Sequence, residues 1–181
     1  VGNLELTWLV PLSLIGTICG WLYFVSEHAS EALAHAIGER PVVKAMLAGL
    51  ALAICGTVLP YTMFAGETQA DVLMETYLTI PAGVLIATGL VKAMLTPALI
   101  NLGWRGGHFF PVIFSGVSLG YGLAILTGAD PVFCVAVCTA STMGAVMRQP
   151  VMVVGLLLMC FPLKGIVCMI IAAVIAAGIP L

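Results

Sequence analysis

Most of the chain consists of apolar runs that are about long enough to cross a membrane. Short polar or proline-containing breaks separate these runs. In the first half these runs are Leu6–Val25, Val42–Ala65 and Thr76–Ile100, and the last contains Pro81 and Pro97. A helix that spans a bilayer needs about 20 mostly apolar residues. We therefore predict two spanning helices, followed by a short helical piece and a tilted span, because the two prolines interrupt the third run.

The second half contains three further apolar runs: Phe109–Thr127, Val132–Met147 and Val151–Leu181. A turn at Phe161–Lys164 interrupts the last of them. Pro111 and Pro131 lie near the starts of the first two. Proline is favoured at the first helical position, so we predict that each begins a helix. Unequal segments broken by Pro and Gly are typical of transporters and channels with discontinuous helices.

Two longer polar stretches interrupt the first half of the chain. Ser26–Pro41 is the most polar, and we predict an extension of the first helix along the membrane interface, closed by Gly38 and Pro41. Gly66–Glu75 is predicted to be a polar break between spans.

The composition places this pattern in a membrane. Of 181 residues, 62% are hydrophobic and only 8% are charged, and the mean hydropathy is +1.20, whereas soluble domains are roughly 45–50% apolar. We predict an all-α, polytopic integral membrane protein with one membrane domain over residues 1–181 and at most about six or seven spans. The formal net charge is −2 and the Lys and Arg residues are scattered singly, which excludes nucleic acid as a partner.

Two groups of side chains have the residue types of a metal site. Glu27, Glu31 and His35 lie close to one face of a predicted helix, where they form either a metal or proton site or a solvated helix end. Cys134 and Cys138 share a face at i and i+4 but, like the other four cysteines, lie in an apolar run without a CxxC pair, which favours free, buried thiols. Neither group has a second cluster to complete a ligand shell, so we predict no metal site.

Small residues and one lysine stand out within the apolar runs. Gly16 with Gly20, and Gly116 with Gly120, form two small-xxx-small pairs, which permit close contact between helices. Lys92 is an intramembrane charge, and such residues face protein, a cavity or the membrane interface. Both a lysine that extends to the interface and one that faces a pore fit the sequence.

The turn Gly103–Pro111, Gly-Trp-Arg-Gly-Gly-His-Phe-Phe-Pro, carries the main candidate chemistry. A helix start bears about half a positive charge and unused N–H groups, and so favours an anion. In hydrocarbon, unwound backbone survives only where it is buried in protein or lines a cavity, which makes this turn a candidate ion site. The alternative is an ordinary loop at the membrane surface, anchored by Trp104 and Arg105, with His108 solvated.

Gly107-His108-Phe109-Phe110-Pro111 fits the G-x-F-x-P motif of the CLC family of chloride channels and chloride/proton antiporters. Arg148-Gln149-Pro150 is similar to the Arg-x-Pro turn of bacterial members, and the order of segments resembles the second of the two inverted halves of that fold. The resemblance implies tilted, broken helices, a homodimer in which each subunit has its own anion pathway, and a location in the plasma membrane, here the bacterial inner membrane.

For this chain the resemblance implies a chloride site at Gly107, His108, Phe109, Phe110 and Pro111, in which the N–H groups of His108 and Phe109 coordinate the ion. Chloride is then the transported ligand, protons are the second substrate of an antiporter, and no cofactor is needed. The family's serine-containing anion motif and gating glutamate do not occur in these residues. The resemblance therefore implies a missing N-terminal half as partner.

Two other classes of function were considered. A membrane scaffold or assembly subunit that does not transport would use the small-residue faces to bind partner helices. An intramembrane enzyme is not expected, because the chain has no H-E-x-x-H or G-x-S-x-G pattern.

Overall fold

The computed structural model describes residues 3–63, 66–161 and 166–179, which contain no strand. The helices of these ranges are α1 (Asn3–Ile37), α2 (Pro41–Val58), α3 (Glu67–Thr76), α4 (Ala82–Asn101), α5 (Phe109–Thr127), α6 (Pro131–Met147), α7 (Pro150–Leu157) and α8 (Ile166–Gly178). Two short 3-10 turns lie at Pro60–Thr62 and Tyr77–Thr79. In the described part, α1, α2, α4 and α5 are long and apolar enough to cross a membrane, and α6 and α8 are shorter apolar helices. The predicted all-α, polytopic membrane fold is confirmed.

Helix α6 is the centre of the packing, because it contacts α1, α5 and α8. The two predicted small-residue pairs both face it: Gly16 and Gly20 from α1, and Gly116 and Gly120 from α5. A Cβ atom added at Gly120 would lie 2.5 Å from the Cα atom of Val135, so the two helix backbones touch. The prediction that these glycines permit close helix contact is confirmed.

The helix ends follow from local residue chemistry. Gly38 ends α1 with a φ of +68°, and Gly128 ends α5 with a φ of +69°, a left-handed conformation that glycine adopts without steric cost. Pro131 begins α6 as predicted, and the N–H of Phe133 donates to Asp130 Oδ1 at 3.0 Å. The predicted helical extension is confirmed, since α1 continues through the polar stretch to Ile37, and its position at the membrane interface stays a prediction.

Most of the polar break at Gly66–Glu75 forms the short helix α3, an element that was not predicted. Leu73 is fully buried and belongs to the same hydrophobic cluster as Phe114 of α5, while Asp71 and Glu75 are exposed. Leu73 thus attaches this short amphipathic helix to α5, although the segment as a whole is polar.

The prolines do not all act as predicted. Pro81 directly precedes α4, but Pro97 lies inside it, so the third run is not interrupted there. Pro97 has no N–H to donate to the carbonyl of Ala93, four residues earlier, and α4 continues past the loss of this one bond. The second run ends as a helix at Val58, before the 3-10 turn at Pro60, and its last two residues lie outside the described part of the chain.

The predicted turn at Phe161–Lys164 cannot be compared in full, because residues 162–165 lie outside the described residues. Helix α7 ends at Leu157 and α8 begins at Ile166. The Arg148–Pro150 turn between α6 and α7 is present as predicted, and Arg148 adopts a φ of +53° at the end of α6.

Candidate anion site

The turn between α4 and α5 begins with a reversal of the chain at Gly103. The N–H of Trp104 donates to the carbonyl of Leu99 and the N–H of Gly103 to that of Ile100, both at 3.0 Å. These two bonds form a Schellman motif, which requires a left-handed residue, and Gly103 has a φ of +97°. The glycine thus ends α4 and directs residues 104–108 toward the start of α5.

The start of α5 leaves three N–H groups without a partner among the described residues. The first helical bond runs from the N–H of Val112 to the carbonyl of His108 at 3.1 Å, and none joins the N–H of His108, Phe109 or Phe110 to a described acceptor. Helix α5 begins at Phe109, so the prediction that Pro111 is the first helical residue is wrong: it is the third. Proline is tolerated there because no N–H in the first turn has an intrahelical acceptor.

The five predicted site residues are consecutive, but their side chains have different surroundings. In the isolated chain Gly107 and Phe110 are exposed, whereas His108, Phe109 and Pro111 are half-buried. The imidazole of His108 stacks on the ring of Phe109, with centroids 4.6 Å apart and planes at 20°. What the five residues share is therefore the main chain at a helix start.

A cavity of about 270 Å³ adjoins this turn, and we call it the lysine cavity. Gly106, Gly107 and Pro111 line it from the turn, together with Arg105 and Lys92. Lys92 is only 4% exposed and lines this cavity. Its ammonium donates to the carbonyl of Thr62 at 2.6 Å, which ties α4 to the 3-10 turn after α2. Two basic residues thus line the same cavity as the two glycines.

A second cavity, of about 200 Å³, adjoins the side chain of His108, and we call it the histidine cavity. Tyr23 and Glu27 line it from α1, and Asn101 lines it from α4. Asn101 Nδ2 donates to the carbonyl of Glu27 at 3.0 Å and to Ser30 Oγ at 2.9 Å. No local pattern in the sequence joins Glu27 to His108, and they line one cavity only because α1, α4 and α5 pack together.

The residues considered as metal ligands do not form a cluster in the described part of the chain. No three His, Cys, Asp or Glu side chains there are placed to share an ion. Glu31 and His35 form a pair at 3.9 Å, but both are largely exposed. All six cysteines are free, and Cys134 and Cys138 are fully buried in α6, where they serve packing.

Comparison with known proteins agrees with the helical pattern. A sequence model of the voltage-gated chloride channel family matches residues 2–180. The comparisons with curated proteins and with solved structures give no match. Because the family match covers nearly all of the chain, this protein belongs to the voltage-gated chloride channel family, whose members transport anions across membranes and are not enzymes.

Proposed function

We propose that this chain forms part of a chloride pathway, in which the N–H groups of His108 and Phe109 bind the dehydrated ion. The observation that carries the proposal is the start of α5, where N–H groups have no partner among the described residues. The basic side chains of Lys92 and Arg105 in the adjacent cavity support an anion as the ligand.

Main-chain donors suit chloride because the ion must exchange its water shell for other donors when it enters the membrane. Gly106 and Gly107 have no side chain to keep the ion from the backbone, and a Cβ added to either would meet no atom within 4 Å. The N–H of Phe110 is a third donor on the same turn, and the helix dipole adds a partial positive charge. Chloride is therefore the proposed ligand, and no cofactor is required.

The proposal covers both a chloride channel and a chloride/proton antiporter. The family resemblance supports three further parts of it: a homodimer, a location in the bacterial inner membrane, and a first half of the pathway with the serine motif and the gating glutamate. These two motifs do not occur in the 181 residues.

A main-chain substitution tests the coordination directly. Replacing Phe109 with the hydroxy acid phenyllactate turns its N–H into an ester oxygen while keeping the ring. A hydrogen bond to a charged group is worth about 1.5–3 kcal/mol, so the ester should weaken chloride binding roughly tenfold to a hundredfold. Binding is measured by calorimetry on the protein expressed from its complete gene, and transport by chloride efflux from liposomes.

The matched control is the same ester at Phe133, whose N–H lies in the first turn of α6 and donates to Asp130. This ester removes a capping bond from another helix, and chloride affinity should not change. Equal affinity of the wild-type protein and the Phe109 ester would exclude coordination by this N–H group.

A scaffold without transport activity is the other function considered from the sequence. Its main support was the small-residue faces, but Gly16, Gly20, Gly116 and Gly120 all contact α6 of the same chain. Crystals soaked in bromide distinguish the two functions by anomalous scattering. Bromide at the His108 and Phe109 N–H groups supports the anion pathway, and its absence there favours the scaffold.

A further inference from the structure

A polar cavity of about 310 Å³ lies at the corner where α1 ends and α2 begins, and we call it the corner cavity. The polar residues that line it are Glu31, His35, Glu39, Lys44 and Asn101. Two main-chain bonds fix the corner: the N–H of Gly38 donates to the carbonyl of His35 at 3.1 Å, and the N–H of Arg40 to that of Gly38 at 2.9 Å. The corner cavity is therefore a feature of the fold itself.

The charged groups of the corner cavity have both signs. Glu31 and Glu39 contribute carboxylates, and Lys44 contributes an ammonium. Glu31 Oε1 lies 3.9 Å from His35 Nε2, which is too far for a hydrogen bond, so this pair leaves the carboxylate able to accept bonds from a ligand. Asn101 donates both amide hydrogens to α1, at 3.0 and 2.9 Å, and so offers the cavity its carbonyl oxygen. Such a lining suits a ligand that carries both an N–H cation and an anion.

The position of the corner cavity favours a lipid as this ligand. Helix α2 is long and apolar enough to cross a membrane, so its first turn, which contains Lys44, lies close to the lipid head groups. The structure describes all of α2, and Ala48 is its one buried residue. Exposed apolar side chains recur along one side of it at three- and four-residue spacing: Val43, Leu47, Leu50 and Ile54. Leu47 follows Lys44 by about one turn, so this apolar stripe begins beside the corner cavity.

Phosphatidylethanolamine combines the matching groups in one molecule: a primary ammonium with N–H donors, a phosphate and two apolar chains. We propose that the corner cavity binds the head group of this lipid. The ammonium faces Glu31 and Glu39, the phosphate faces Lys44 and the start of α2, and an acyl chain follows the apolar stripe. The site is independent of the proposed chloride pathway, because no residue of the turn Gly103–Pro111 lines the corner cavity.

Lipid titrations followed by native mass spectrometry, on the protein expressed from its complete gene, test the site. The wild-type protein should bind phosphatidylethanolamine about fivefold more tightly than phosphatidylcholine, whose quaternary ammonium has no N–H group; the ratio is modest because exposed ion pairs contribute little. The double substitution Glu31→Gln and Glu39→Gln should reduce this ratio to about one. Lys44→Met should weaken the binding of both lipids to a similar extent, because both carry the phosphate.

The matched control removes two exposed carboxylates from another helix, by Asp71→Asn and Glu75→Gln in α3. This variant should keep the wild-type preference for phosphatidylethanolamine. Equal wild-type affinity for the two lipids would overturn the proposal. A preference that survives the loss of Glu31 and Glu39 would also overturn it, because the ammonium would then bind elsewhere. Unchanged binding of both lipids to Lys44→Met would exclude the phosphate from the corner cavity.

Discussion

The contact between α5 and α6 helps to position α5, whose start carries the candidate anion turn, and Gly120→Ala tests this contact. The added Cβ would lie 2.5 Å from Val135 Cα, 2.8 Å from Val135 N and 3.0 Å from the carbonyl oxygen of Cys134. All three atoms belong to the main chain of α6, so no side-chain rotation can relieve the overlap. Since carbon atoms normally approach to about 3.5–4.0 Å, the two helices must separate by roughly 1 Å.

The expected cost follows from two opposing effects. Overfilling a packed interior costs about 1–3 kcal/mol, while alanine is about 1 kcal/mol better than glycine inside a helix. Gly120→Ala should therefore reduce the free energy of unfolding by up to about 2 kcal/mol, or roughly 4–8 °C in melting temperature. Because α5 carries the turn, chloride efflux from liposomes should also slow.

Gly49→Ala is the matched control, because Gly49 lies inside α2 and an added Cβ there meets no atom within 4 Å. This variant keeps the helix propensity gain without the overlap, so its melting temperature should not fall. The melting is followed in detergent by the fluorescence of the three tryptophans. The packing argument fails if Gly120→Ala melts at or above the temperature of Gly49→Ala.

Three further substitutions test other parts of the structure. Lys92→Met should lower chloride affinity about tenfold in calorimetry, because it removes a buried charge from the lysine cavity. Lys92→Arg should retain most of the affinity, and equal chloride affinity of the two variants would contradict a role for the charge. Gly38→Ala should cost about 1–2 kcal/mol, because alanine resists the left-handed φ of +68° at this position, and thermal melting measures the loss. Asp130→Ala should cost about 1 kcal/mol through loss of the α6 cap without changing chloride affinity, and a lower affinity would link this cap to the site.

The sequence predicts the apolar helices well, because a long apolar run bounded by glycine and proline can adopt few structures other than a helix in a membrane. The run Phe109–Thr127 coincides with α5, since Gly128 and the glycine-rich turn at Gly103–Gly107 mark its two ends. Helix α3 was missed because its attachment depends on the surface of α5, which its own sequence does not reveal. Pro97 was overinterpreted because a membrane helix can continue past a proline that removes only one main-chain bond.

The candidate site was likewise predictable from the sequence where it is a local motif, and not where it depends on the packing of distant helices. A local motif identified the main chain from Gly107 to Pro111, and the structure places these residues at a helix start. The neighbours of that turn come from distant segments: Lys92 from α4, and Glu27 from α1. Their contribution depends on how the helices pack, so no spacing in the sequence could indicate it.

In the proposed pathway the ion touches N–H groups, and the full positive charges stay at a distance. A conducting site must attract the ion and also release it, and an ammonium in direct contact would attract chloride by about 4 kcal/mol even at an effective dielectric constant of 20. Lys92 is bonded to the carbonyl of Thr62 at 2.6 Å, which holds its charge at the wall of the cavity. Its replacement should therefore change how readily chloride enters, whereas the choice among anions should depend on the N–H groups of His108 and Phe109.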